Sequence, residues 1–225
     1  MKNLIDLSHT IEDGLVTYKG LPAPAICDYL SREASKAHYG EGVSFQIGKI
    51  EMVANTGTYI DSPFHRYADG NDLSELNLSS MAGLEGIMFR MDSTRIDHDI
   101  FGDKDLRKKA VLIHTNWSRH WITEQYYENH PFLTKDAAVH LREAGASLAG
   151  IDSYNIDDTS DGTRPVHSVL LAAGIPIVEH MCNLHLVPDA DFKFYAVPAK
   201  VKGFGTFPVR AFAEIETEPA NPPSP

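Results

Sequence analysis

The run Asn55-Thr56-Gly57-Thr58-Tyr59-Ile60-Asp61-Ser62-Pro63-Phe64-His65 constrains this chain more than any other stretch. Gly57-Thr58 predicts a turn, and Pro63 separates an aspartate from a histidine four residues later. The preceding segment, Ser44 to Val53, alternates at Phe45 and Ile47 and shifts phase at Lys49-Ile50. That pattern predicts a strand with a bulge, running directly into the Gly-Thr turn. Asp61 is suited to anchoring a metal ion, and His65 to moving protons beside it. Read as a loop broken by Pro63, the segment fixes no geometry by spacing alone. Gly57-Thr58 lacks the GK[ST] or GxGxxG context of a phosphate loop, and a close backbone approach beside the metal explains it better.

A second segment carries complementary groups. His167 is followed twelve residues later by Glu179, and the intervening residues put one at a helix start and the other at a strand end. A neutral imidazole and a carboxylate are good ligands for zinc or manganese, although either residue alone more often serves as a cap or an ion-pair partner. His180, next to Glu179, is predicted to face the other way on the strand. His114 is a candidate for lining the pocket. His9 reads as surface, and His38, His98, His120, His130 and His140 read as solvent-exposed. Tyr18, Phe64, Tyr67 and Trp117 are candidates for an aromatic wall over a planar substrate, against the commoner role of core packing.

Around these segments the chain reads as strands with few helices. Strands are predicted at Leu4 to Leu7, Gly86 to Met91, Ala110 to His114, Leu148 to Asp152, Ile175 to Glu179, Phe194 to Val197 and Val209 to Ile215. Thr134 as N-cap and Gly145 at C′ bound a helix over Thr134 to Ala144, and His167 to Ala173 is a shorter one stopped by Gly174. The mixture indicates an α/β or α+β chain.

With 225 residues, 43% of them hydrophobic, residues 1–215 are expected to form one domain. The tail, residues 216–225, carries four prolines and little apolar surface and is expected to be disordered. A net charge of −11 argues against nucleic acid and anionic membrane as partners. Cys27 and Cys182 form no CxxC, no secretory h-region opens the chain, and no run reaches membrane-spanning length. A cytoplasmic location is the expectation.

These segments together resemble the cyclase family of metal-dependent hydrolases, the group that includes bacterial kynurenine formamidase. Its signature reads His-x-Gly-Thr-His-x-Asp-x-Pro-x-His. Gly57, Thr58, Asp61, Pro63 and His65 match it, while Asn55 and Tyr59 replace the first two histidines. The stretch from Glu179 to Leu184, the opening Asp6-Leu7-Ser8 and Gly205-Thr206-Phe207-Pro208 also fit, so the resemblance spans roughly residues 4 to 215.

The resemblance implies a swivelling β/β/α fold of three layers and a homo-oligomer, dimer or tetramer. It also implies an arylformamidase-like hydrolase acting on a small-molecule substrate by opening a C–N amide bond in a cyclic amide or formamide. Carried onto this chain, it makes Asp61, His167 and Glu179 the ligands of one divalent metal, Zn or Mn, and His65 the general acid/base. Asn55 and Tyr59 are either re-used, Tyr59 donating to a developing oxyanion and Asn55 orienting the substrate, or mark lost activity. The alternative function is a non-catalytic small-molecule binding protein on the same scaffold.

Overall fold

The computed structural model describes residues 2–216. In chain order its elements begin with β1 (Lys2–Asp6), β2 (Ala25–Leu30), α1 (Arg32–Ser35), β3 (Ile47–Glu51), β4 (Tyr59–Asp61) and β5 (Ala82–Arg90). Then come β6 (Arg95–Ile96), β7 (Lys109–His114), β8 (Phe132–Leu133), α2 (Lys135–Glu143) and β9 (Leu148–Ile151). The last are α3 (Pro165–Ala172), β10 (Ile177–Glu179), β11 (Phe192–Tyr195), β12 (Thr206–Pro208) and β13 (Phe212–Glu216). Nine strands form one sheet in the order β1-β13-β11-β5-β7-β9-β10-β4-β12. Its middle, β5 to β10, is parallel, and both flanks are antiparallel.

The apolar run on β7 explains why the middle of the sheet is covered twice. Ala110 and Leu112 enter one buried cluster with Ile60, Leu148 and Val178. Val111 and Ile113 point the other way, into a cluster with Ala149, Ile151 and Ile177. Helices α2 and α3 close that second face with Ala137, Leu141, Val166 and Leu170. The first cluster also gathers Ile5 of β1, near the opposite end of the strand order from Ile60, so the sheet curls around it. Each aliphatic side chain fully buried this way stabilises the fold by about 1.5–3 kcal/mol. A curled sheet with one helical layer is the α/β class expected, β/β/α in section.

The caps behave as the sequence predicts. Thr134 Oγ1 accepts from Ala137 N–H at 3.1 Å, and Gly145 takes the left-handed C′ conformation at φ 74°. Three expectations need correction. The strand at 44–53 shortens to β3, which pairs only with β2 in a separate ribbon whose irregularity lies on β2, between Asp28 and Leu30. The signature is not all loop, because Tyr59–Asp61 is a buried strand held on both edges. Glu216 belongs to β13, paired with Lys2; the remaining tail residues, 217–225, lie outside the described residues. Among the described residues no helix is long and apolar enough to cross a membrane.

Candidate metal and catalytic site

Strand β4 is the origin of the site. Its pairing with β10 sets Tyr59 opposite Glu179, and its pairing with β12 sets Asp61 opposite Thr206. Strand alternation sends Ile60 into the apolar cluster and leaves Tyr59 and Asp61 on the other face.

Asp61 and His65 are joined through Thr206, a residue that sequence reasoning gave no role. Thr206 Oγ1 donates to Asp61 Oδ1 and lies 2.8 Å from His65 Nδ1. With its single proton committed to the carboxylate, the hydroxyl oxygen accepts from the ring, so Nδ1 carries the hydrogen and Nε2 is left as the base. Gly205 makes this approach possible. A Cβ there would sit 2.4 Å from His65 N and 2.5 Å from its Cα.

His167 is oriented by Asp157, which sequence reasoning also missed. Asp157 Oδ1 accepts from Val166 N–H at 2.7 Å, and Oδ2 accepts from His167 N–H at 2.9 Å, satisfying free amides at the start of α3. Oδ2 also lies 2.6 Å from His167 Nδ1, which fixes the ring. Nε2 then faces Asp61 Oδ2 at 3.5 Å and Glu179 Oε1 at 3.7 Å. A carboxylate behind a ligating imidazole is a common way of setting its tautomer and raising its basicity.

Glu179 is held on both oxygens. Ile156 N–H donates to Oε1 at 2.6 Å, Tyr59 OH to Oε2 at 2.6 Å, and Asn155 Nδ2 to Oε2 at 3.4 Å. Burial and the charge of Glu179 push the Tyr59 phenol well above its usual value. Tyr59 is therefore protonated at neutral pH, and its proton is spent on Glu179. The oxyanion role considered for Tyr59 gives way to this supporting role.

The electrostatics of the site are those of excess buried negative charge. Burial alone would raise the Asp61 carboxyl, but His65, His167 and Thr206 together hold it below the usual carboxylate range. Burial pushes Glu179 up to about 7, against the pull of His167. Burial disfavours a charged His167, yet Glu179, Asp157 and Asp61 outweigh it and raise that group to about 10. Asp61 Oδ2 is buried without a hydrogen-bond partner. An unpaired buried oxygen of this kind costs about 1–3 kcal/mol or more. Donor atoms of Asp61, His65 and His167 lie within 4.8 Å of one another, and Glu179 adjoins them through His167. Carboxylates converging on an oriented imidazole fit a divalent cation.

A cavity of about 250 Å³ opens on these groups, and Tyr18, Asn55 and Tyr59 line it together with His65, His167 and Glu179. Phe64 and Trp117 are not among its lining residues, contrary to expectation. Trp117 Nε1 donates to Tyr126 O, and Tyr67 OH donates to Ser168 O. His114 lies elsewhere, 3.0 Å from Arg90 Nη1. His9 stacks on Trp121 at 3.8 Å rather than lying free at the surface. His130 is buried rather than exposed, and His180 is wholly buried among Tyr59, Trp121, Tyr126 and Tyr154.

Known proteins resemble this chain at both levels. Kynurenine formamidase of Bacillus cereus is 30% identical over 213 residues, covering 92% of this chain and 95% of the relative. The solved structure of a predicted metal-dependent hydrolase from Bacillus stearothermophilus superposes with a TM-score of 0.77 at 25% identity, over 96% of this chain and all (100%) of that one. Isatin hydrolase A from Labrenzia aggregata shares the fold, with a TM-score of 0.80 at 18% identity over 95% and 94% of the two chains. The Cyclase family model matches residues 5–158, the span that contains β4, His65 and Asp157. With the fold and the converging Asp61, His65 and His167 in agreement with that match, the chain belongs to the cyclase family.

Proposed function

We propose that the protein is a metal-dependent hydrolase that opens a C–N amide bond in a formamide or cyclic amide. The buried, unpartnered Asp61 Oδ2 facing His167 Nε2 carries this reading. The similarity to kynurenine formamidases supports the formamide class. Asp61, His167 and Glu179 would hold one divalent ion, Zn or Mn. When bound, that ion supplies Lewis-acid polarisation of the carbonyl and lowers the pKa of water.

The rest of the chemistry falls to side chains. His65, with Nδ1 turned to Thr206 and Nε2 left to accept, takes the proton from the attacking water and returns it to the departing nitrogen. Tyr59 holds Glu179 in place, and Asn55, on the cavity wall, orients the substrate. The test is hydrolysis of simple formamides and cyclic amides with and without added Zn or Mn. Loss of metal-stimulated turnover is expected in both His65→Ala and Glu179→Ala. Turnover retained in both variants contradicts the assignment, and no metal uptake at all favours the non-catalytic binding protein.

Removing the metal should reveal a pH dependence. The folded His167 value, about 10, lies above its ordinary 6.5, and that of Glu179, about 7, above 4.5. The folded state thus holds both protons more tightly than the unfolded chain. The His167 contribution to stability is complete below its ordinary value and is lost as pH rises through the folded one; Glu179 follows the same sign in a lower window. The metal-free protein is expected to melt lower at about pH 9 than at about pH 6, and saturating Zn or Mn to remove most of that fall, because the bound imidazole is neutral. Equal melting temperatures across that range in metal-free protein contradict the charge arrangement.

The β2–β3 ribbon supports a homo-oligomer, with a second copy of this chain as its partner. Ile26, Tyr29, Ile47 and Ile50 stay exposed on it, Tyr29 at 77% and Ile50 at 57%. A two-stranded ribbon is marginal in water without a packed face. Light scattering is expected to give a dimer or tetramer, and Tyr29→Glu with Ile50→Glu to reduce it to monomer. A monomeric wild-type protein contradicts this.

A further inference from the structure

We infer that the substrate carries an anionic group, a carboxylate or its equivalent, received by Arg66 and Arg164 while its amide faces His65; this rests on the hydrolase reading of the same cavity. Both arginines line the cavity. Each is tied to a chemical residue by sequence. Arg66 directly follows His65, and Arg164 precedes His167 by three positions, at the N-cap of α3. Arg66 Nη2 donates to Thr163 O at 2.8 Å, joining the two arginine-bearing segments.

The conformation of Arg164 is a second observation. Its φ is +47°, in the left-handed region that costs a side-chain-bearing residue about 1 kcal/mol or more. The turn before it enforces that geometry. Asp161 Oδ1 accepts from Thr163 N–H and Oγ1–H, and Arg164 N–H donates to Asp161 O at 3.3 Å. An enforced left-handed arginine at the edge of a cavity is the kind of outlier that functional sites retain.

Neither guanidinium is consumed by a carboxylate. Arg90, Arg95, Arg142 and Arg210 are paired with carboxylates. Among the described residues, no Asp or Glu oxygen lies within 4.0 Å of Arg66 or Arg164, nor of Arg32, Arg107 and Arg119, which do not line the cavity. The acids nearest in sequence to Arg164 are occupied by their own turns: Asp158 Oδ1 takes Ser160 N–H and Oγ–H, as Asp161 takes Thr163. Arg164 spends one donor on Asp158 O at 3.3 Å. In a chain of net charge −11, two guanidinium forks on one cavity form a receptor for an anion. Glu179 and Asp61 at the metal end repel the same anion. That opposition gives a charged substrate one orientation.

The test measures binding and needs no turnover. Calorimetry with benzoate and with benzamide, on metal-free and metal-loaded protein, gives a preference ratio for the anion in each state. Wild-type protein is expected to prefer benzoate about tenfold in both states, and Arg66→Gln with Arg164→Gln to reduce that preference to about twofold. If Arg164→Gln fails to fold, judged by circular dichroism, Arg66→Gln alone is expected to lower the ratio about threefold. No preference in wild-type protein overturns the inference. So does a preference that survives the arginine substitutions, or one that exists only with metal bound. A wild-type protein that shows the preference but hydrolyses no amide keeps Arg66 and Arg164 as the anion receptor of the cavity and removes the hydrolase reading instead.

Discussion

His65→Ala is expected to lower kcat by about a hundredfold to ten-thousandfold, the range over which a positioned general acid/base acts. The expectation comes from proton accounting at Thr206. Its hydroxyl hydrogen goes to Asp61 Oδ1, so its oxygen can only accept from His65 Nδ1–H. The ring thereby presents Nε2 as a base, on a side chain 35% exposed and lining the cavity. The same substitution separates two roles, because the donor atoms of His65 also cluster with those of Asp61 and His167 in a group that could hold a metal ion. As the base, its loss should leave the metal in place while kcat collapses. If the metal leaves with the imidazole, His65 is a ligand instead. An unchanged kcat contradicts both roles. Steady-state kinetics with metal analysis of the same sample gives the answer.

Gly205→Ala is expected to destabilise the fold by about 3 kcal/mol or more and to abolish most activity, although it alters none of the side chains proposed to act in the site. The added methyl would meet His65 N at 2.4 Å, His65 Cα at 2.5 Å and Phe64 C at 2.9 Å. These are backbone atoms, which cannot rotate away as a side chain can. The loop before β12 also accepts Ser62 N–H on Gly205 O at 2.7 Å, so pushing it out disturbs the turn that carries His65. Urea denaturation should show the lower midpoint, and kinetics on the folded fraction the lost rate. A Gly205→Ala protein with wild-type stability contradicts the packing described here. Gly40→Ala is the control, since nothing lies within 4 Å of a Cβ placed there and its backbone is outside the left-handed region.

Much of the scaffold was legible from local pattern. The run Ala110 to His114 is apolar because β7 is covered on both faces, and Thr134 and Gly145 mark the ends of α2 by capping chemistry. The signature singled out Asp61 and His65, and the chain does bring them together with His167. What escaped depends on long-range pairing. Three-residue β4 is too short to show a period, and Gly57 and Pro63 around it read as loop. Tyr59 meets its partner Glu179 across 120 positions and Thr206 meets Asp61 across 145, so neither pairing leaves a trace in neighbouring residues. His130 lies in a polar stretch yet is buried, because Pro131 O and Thr159 Oγ1 satisfy its ring. Asp157 left the one usable signal, a carboxylate in the loop just ahead of a helix that opens Pro-Val-His.

The most direct test of the central claim is elemental analysis of the purified protein, supplied with Zn or Mn and then desalted, beside His167→Ala. The account predicts about one equivalent of metal in the wild-type protein and almost none in the variant, because His167 is the only nitrogen in the proposed donor set. No metal in the wild-type protein, or an equivalent that persists in His167→Ala, would contradict it.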